Sequence, residues 1–273
     1  MSTRGLRRAV VPVGLLALAA CDAADPVAPP ASPAPAAAAG VPGFDIGVYP
    51  GDAALRAWRP PASPYRWMGY YLVAPCHRDA SFVGRRTTIA ALGIGMAVLY
   101  VGQQTWEGVA DARPAPAQPT CSRTLLSADR GAADGADAVT RTAAEGFARG
   151  TAVFLDLEPM TTIPEAMRAY YRAWVRALLV DGRFRPAIYC HHSNAAAIHA
   201  DVRALLDERR AAAAPFWISR GAGFALTRSP AEVGYAFATV WQGVLDAPRT
   251  WNGVTLTIDE NVATTASPSD PGG

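Results

Sequence analysis

Between residues 43 and 259 the chain alternates eight short apolar runs with helix-like or loop-like stretches. The runs are 43–48, 68–73, 96–101, 152–159, 186–190, 215–219, 235–242 and 254–259. Apolar runs this short, bounded by Gly, Pro and polar breakers, read as buried strands. Helical spacing marks several of the segments between them: Ala136, Val139, Ala143 and Phe147; Met167, Tyr170, Trp174 and Leu178; Ile198, Val202, Leu205 and Leu206. Shorter helices are expected over 52–58 and 81–92, and a weak one over 226–232. Thr162 and Glu165 have capping-box spacing, and Ser193 or Asn194 is the expected cap of the helix after the fifth strand. Strands separated by helices predict a single-domain α/β fold, a parallel (β/α)8 TIM-like barrel, with an open doubly wound sheet as the alternative. No G-x-G-x-x-G follows the first run, which argues against a dinucleotide-binding sheet.

The fourth run, Ala152-Val153-Phe154-Leu155-Asp156-Leu157-Glu158-Pro159, carries the chemistry. Alternate residues of a strand share a face, so Phe154, Asp156 and Glu158 point one way. Two acids on a buried face are costly unless solvated, hydrogen-bonded or paired. The open end of a strand beside a cleft satisfies that condition, and so does a salt-bridged strand end. The other runs favour the cleft. The first carries Asp45, and Asp259, followed by Glu260 and Asn261, ends the eighth. In a closed barrel these strands adjoin each other and face the fourth across the mouth. Tyr71, Tyr100, Gln103, Tyr189, Trp217, Trp241 and Gln242 occupy similar strand-end positions and are the candidate substrate-binding residues. Sugar sites use this mixture, in which aromatic faces cover pyranose rings while acids and amides bind hydroxyls. For Tyr70 and Phe216 core packing is the better reading.

Gly43-Phe44-Asp45, Tyr100-Val101-Gly102-Gln103-Gln104, Asp134-Gly135-Ala136-Asp137-Ala138, Phe154-Leu155-Asp156-Leu157-Glu158 and Ala187-Ile188-Tyr189 together resemble a family of glycoside-hydrolase-like barrels from secreted bacterial proteins. That family is related to the family 25 glycoside hydrolases, lysozymes that cleave peptidoglycan. Trp241-Gln242 and Ile258-Asp259-Glu260-Asn261 are similar to their seventh- and eighth-strand motifs. The resemblance spans about Val41 to Ala263. It implies Glu158 as general acid, Asp156 and Asp259 as acids that orient groups and stabilise positive charge at the sugar, and Asp45 as the first-strand acid. Glycosidic cleavage needs one protonated carboxyl and one ionised carboxyl. Mutual repulsion within an acid cluster is expected to keep Glu158 protonated near neutral pH. A non-catalytic glycan-binding barrel is the alternative, since activity does not follow from fold. A metal-dependent hydrolase using His191, His192 and His199 has less support, because neither H-x-x-x-H nor H-E-x-x-H spacing is present. No cofactor and no metal are expected.

The first 42 residues read as export machinery. Arg4, Arg7 and Arg8 precede the apolar run 9–20, which has the form of a secretory signal. Leu18-Ala19-Ala20-Cys21 is similar to the lipobox of bacterial lipoproteins, so 1–20 is the expected signal peptide and Cys21 the expected lipidation site. Residues 21–42 are rich in Ala and Pro and read as a disordered tether, 43–264 as the barrel, and 265–273 as a disordered tail. The expected product is an exported monomer, lipid-anchored to a bacterial membrane and periplasmic or at the cell surface. Its expected partner is peptidoglycan or another envelope polysaccharide. A net charge of +2 leaves no footprint for nucleic acid. Three further cysteines in an exported chain suggest one disulfide and one thiol. Cys76 and Cys121, both in loop-like sequence, are the expected pair, and they match cysteines carried by the resembling family. Cys190 is expected to be a buried thiol.

Overall fold

The computed structural model describes residues 39–106 and 120–271. The expected signal peptide, Cys21 and most of the tether lie outside the described residues, as do positions 107–119 of the long connection. Among the described residues no helix is long and apolar enough to cross a membrane.

The strands are β1 (Val41–Asp45), β2 (Trp67–Tyr71), β3 (Gly95–Val101), β4 (Ala152–Leu157), β5 (Arg185–His191), β6 (Phe216–Ser219), β7 (Ala238–Trp251) and β8 (Val254–Ala263). The helices are α1 (Asp52–Trp58), α2 (Arg86–Ala91), α3 (Ala128–Ala144), α4 (Glu165–Asp181) and α5 (His192–Arg209). The eight strands close into one barrel in chain order. The all-parallel expectation needs correction. β1 to β7 run parallel, but β8 is antiparallel to both β7 and β1. A parallel crossover needs a dozen or more residues. Here β7 and β8 extend into a hairpin whose loop is only Asn252-Gly253, both at positive φ (48° and 75°). That dipeptide is the favoured chemistry for a two-residue hairpin turn. The hairpin packs on α1: Trp58 Nε1 donates to the Val254 carbonyl at 3.0 Å, and Asn252 Nδ2 to that of Ala57 at 2.8 Å.

The barrel holds its own apolar filling, with Trp67, Leu99, Phe154, Trp217 and Val240 at its centre. Gly43 makes room for it, since a Cβ there would sit 2.1 Å from the Trp67 ring. A second, larger cluster lies between barrel and helices and includes Tyr70, Tyr170, Trp174, Ile198 and Phe216. Several helix boundaries differ from expectation. α3 starts at Ala128 under a Ser127 cap, because its first buried positions are Gly131, Asp134 and Gly135, which carry no apolar signal. α4 begins behind Pro164 without a side-chain cap, and His191 caps α5. The weak helix before β7 is a 3-10 turn, Pro230–Val233.

The tail is also corrected over its described part. Ser269 is buried and bridges two strands below the point where they pair. Its N–H donates to the Met96 carbonyl at 3.1 Å, its carbonyl accepts from Ala152 N–H at 2.8 Å, and its hydroxyl accepts from Val98 N–H at 2.8 Å. Small polar residues that read as a tail are the ones that fit this seam. Gly95 admits the Ala266 carbonyl where a Cβ would clash at 1.8 Å.

Cys76 and Cys121 form the expected disulfide, 45 residues apart, and Cys190 is a buried free thiol. Closing a loop of that length is worth about 4 kcal/mol on the chain-entropy estimate. A Cys76→Ser/Cys121→Ser variant is expected to lose about that much in urea unfolding.

Candidate active site

The C-terminal ends of β1 to β7 gather at one rim. β8 runs the other way, so the start of its barrel stretch, not its end, reaches that rim. Asp45 lies opposite Asp259 in the β1–β8 register, Asp156 opposite Tyr189, and Gln242 opposite Asn261.

A hydrogen-bonded network joins these groups. Asp45 Oδ1 accepts from the Tyr71 hydroxyl at 2.7 Å. Its Oδ2 accepts from Gln242 Nε2 at 2.9 Å and from Asn261 Nδ2 at 2.8 Å. Gln242 Nε2 also reaches Asp259 Oδ2 at 3.2 Å, and its Oε1 accepts from the Tyr189 hydroxyl at 2.7 Å. Asp259 Oδ1 accepts from the Asp246 N–H at 2.7 Å. Gln242 is thus the hub between two acids and a tyrosine. Below it, Trp217 Nε1 donates to Asn261 Oδ1 at 2.9 Å, which turns the Asn261 amide towards Asp45.

The β4 acids are held differently. Asp156 is buried, and its Oδ1 has no hydrogen-bond partner among the described residues. Glu158 is half-buried at the rim. Gln104, fully buried, clamps the strand end: its Nε2 donates to the Asp156 carbonyl at 2.8 Å and its Oε1 accepts from Glu158 N–H at 3.0 Å.

All four carboxyls are pushed above the ordinary carboxylate range, and burial is the leading cause at each. Mutual repulsion, the cause expected from the sequence, comes second at Asp156, Glu158 and Asp259. Glu158 and Asp45 add to the upward push on Asp156, and Asp45 adds to that on Glu158. Hydrogen bonds from Tyr71, Asn261 and Gln242 pull Asp45 partly back down. Asp259 is pushed up to about 7, by burial and then by Asp45. The site can therefore present protonated and ionised carboxyls together near neutral pH.

A carboxyl whose pKa rises on folding takes up a proton when the chain folds. Its contribution to stability is complete below the unfolded pKa and is lost as pH rises through the folded one. For Asp259 that window runs from about 4 to about 7. Thermal melts are expected to fall in midpoint across it. Asp156→Asn, which removes a buried ionisable group whose Oδ1 has no hydrogen-bond partner among the described residues, is expected to raise stability near neutral pH by about 1–2 kcal/mol and to flatten the pH slope.

Four of the seven candidate binding residues lie elsewhere. Tyr100 faces the helices and donates to Asp137 Oδ2 at 3.0 Å. Trp241 also faces outward, with Nε1 on the Arg220 carbonyl at 2.7 Å. Gln103 is buried and braces the returning connection through the Thr120 carbonyl (2.7 Å) and Ser122 N–H (2.9 Å). Trp217 faces inward but is fully buried, so it is the floor of the site and not a wall. Tyr71, Tyr189 and Gln242 do join the acids. Asn261 and Gln104 belong with them, although neither is among the candidates that the sequence suggests. The two-residue spacing of Asp259 and Asn261 is the signal for the first, and Gln104 carries none. His191 caps α5, His192 packs on Tyr235, and His199 stacks on Phe237. An outer concavity of about 480 Å³, lined in part by His199, Phe216 and Phe237, contains none of the acids.

A search of curated proteins gave no match. An uncharacterized B. stearothermophilus protein superposes with a TM-score of 0.58 at 19% identity, covering 82% of this chain and 96% of its own. The Clostridium perfringens spore cortex lytic enzyme SleM gives 0.52 at 13% identity, covering 84% and 68%. The Mycobacterium tuberculosis Tat-secreted protein Rv2525c, in complex with L-tartrate, gives 0.51 at 16% identity, covering 83% and 96%. At these identities the likeness is one of fold. The sequence itself matches the model of the Rv2525c-like, glycoside hydrolase-like domain over residues 56–263. That match spans well over half of the chain, and the protein belongs to the Rv2525c-like, glycoside hydrolase-like family.

Proposed function

We propose that the protein is an exported glycoside hydrolase that cleaves peptidoglycan or another N-acetylated glycan of the envelope. One observation carries this reading: carboxyls from β1, β4 and β8 share one mouth and all have raised pKa values. Glu158, half-buried at the rim, is the proton donor to the leaving oxygen. Asp259, with a pKa of about 7, supplies negative charge to an oxocarbenium-like state when ionised. Asp156, buried on the same strand, is itself held protonated by burial and then by Glu158 and Asp45. Asp45, fixed by Tyr71, Gln242 and Asn261, orients the cluster. Tyr71, Tyr189 and Gln242 are positioned for sugar hydroxyls. The family and the lytic activity named for SleM support the substrate class.

The test is release of reducing ends from purified peptidoglycan and from a panel of N-acetylated glycans by the full-chain protein. Glu158-dependent release is expected. Equal inertness of wild type and Glu158→Gln on every glycan would refute catalysis. A second reading, a glycan-binding barrel without turnover, is favoured by the partners that Asp45 and Gln242 already have within the protein. It requires saturable binding with no new reducing ends.

The lipobox-like Leu18–Cys21 supports attachment to a membrane by a lipid on Cys21. Cys21→Ser is expected to move nearly all of the protein from the membrane fraction to the soluble fraction. An unchanged distribution would remove the anchor from the proposal.

A further inference from the structure

A second concave site lies beside the disulfide, apart from the acid cluster. It has a volume of about 210 Å³ and lies between the β2–α2 connection, Thr120 and α3. α3 lines it with one stripe, Arg130, Asp134, Asp137 and Arg141, at spacings of four, three and four residues that share a helix face. Arg78 lines it from the β2–α2 connection.

The stripe is anchored from behind. Asp134 Oδ2 accepts from the buried Tyr170 hydroxyl at 2.8 Å, and Asp137 Oδ2 from the buried Tyr100 hydroxyl at 3.0 Å. Each carboxylate then holds one guanidinium by its Nε: Arg130 at 2.8 Å from Asp134 Oδ1, and Arg141 at 2.6 Å from Asp137 Oδ2. The Arg130 Nε lies close to its carboxylate yet has no aligned acceptor, although the nitrogen is buried. Among the described residues no hydrogen bond uses the Nη groups of Arg130 or Arg141, or any nitrogen of Arg78. A guanidinium has five donors in a rigid fork suited to planar oxoanions. Three guanidinium groups against two carboxylates leave one positive charge. The β2–α2 connection is fixed too: the Thr120 hydroxyl donates to the Pro75 carbonyl at 3.1 Å, and the Cys76–Cys121 bond joins the two segments.

We propose that this pocket binds an oxoanion, a carboxylate or a phosphate group, on Arg78, Arg130 and Arg141. The proposal does not depend on the acid cluster being catalytic. It is tested by calorimetric titration of the full-chain protein at low ionic strength with inorganic phosphate and, separately, with acetate. Saturable binding of at least one anion is expected. Arg78→Gln and Arg141→Gln are each expected to weaken it about tenfold or more. Arg203→Gln, at an exposed ion pair on α5, and Glu158→Gln are expected to leave it unchanged. Binding should also weaken as salt rises. Among the described residues Arg78 has no ion pair to lose, so its variant should keep the wild-type melting temperature and remain interpretable. A preference for phosphate points to a phosphate-bearing polymer, and a preference for acetate to a carboxylate-bearing one. No saturable binding of either anion, or binding indifferent to both arginine variants, would overturn the proposal.

Discussion

Glu158→Gln is expected to lower turnover of a susceptible glycan by about 10²- to 10⁴-fold, the usual contribution of a general acid. Glycan affinity should stay near the wild-type value. The substitution keeps the size of the side chain and removes only its acidic proton. It does not touch the clamp on the strand end, because Gln104 bonds the backbone N–H of residue 158 and not its side chain. The loss should therefore appear in kcat, with KM little changed, as for an interaction made in the transition state. The pH profile is a second readout. Glu158 is pushed above the ordinary carboxylate range by burial and by Asp45, so the wild-type rate should fall on the alkaline side as the group ionises. In the variant that limb should disappear from any residual activity. A rise in KM at unchanged kcat would assign Glu158 to binding.

Trp217→Ala is expected to cost about 3–5 kcal/mol, the usual loss on truncating a buried aromatic. At about 2–4 °C per kcal/mol for a domain of this size, the midpoint should fall by about 6–20 °C. The side chain has no exposed surface. Its ring meets Trp67, Phe154 and Tyr189 edge-to-face at 5.5, 5.7 and 5.5 Å, so truncation opens a void at the centre of the barrel. It also removes the donor that sets the Asn261 amide, and with it one of the two amides on Asp45 Oδ2. Trp217→Phe separates these effects. It restores much of the packing but not the hydrogen bond, and about 1–3 kcal/mol of loss is expected to remain. Thermal and urea melts measure both. Equal, small losses for the two variants would show that the floor repacks.

The eight strands and the convergence of Asp45, Asp156, Glu158 and Asp259 are legible in the sequence, because a buried strand carries an acid at its end only where water, a partner or a ligand meets it. The misplaced aromatics share a cause. Inward positions on β3 include Ala97 and Leu99, so Tyr100 must face out, and on β7 Val240 and Gln242 face in, so Trp241 must face out. Adjacent residues of a strand cannot both line one cleft, and Trp241 with Gln242 breaks that rule. Trp217 has the right parity but lies too deep, and depth depends on register between strands that are distant in sequence. The reversal of β8 is readable in Asn252-Gly253, a hairpin turn where a crossover was expected. The early start of α3 is not readable, since Gly131, Asp134 and Gly135 look like loop. Gln103 and Gln104 stand side by side after β3. One braces the returning connection and the other the end of β4, and only their tertiary surroundings separate such roles.

Closure between β1 and β8 also sets an order of events. Asp45 belongs to the first strand, but Gln242 and Asn261, which bind it, lie 197 and 216 residues further on. Contacts of such separation are expected to form late, because the loop-closure entropy must be overcome first. In the unfolded chain Asp45 is hydrated and ionises as an ordinary carboxylate. The step that seals the barrel is then also the step that desolvates the acids and draws protons from solution. The rate of that step should rise as pH falls through the carboxylate range, which makes proton uptake a clock for the final stage of folding.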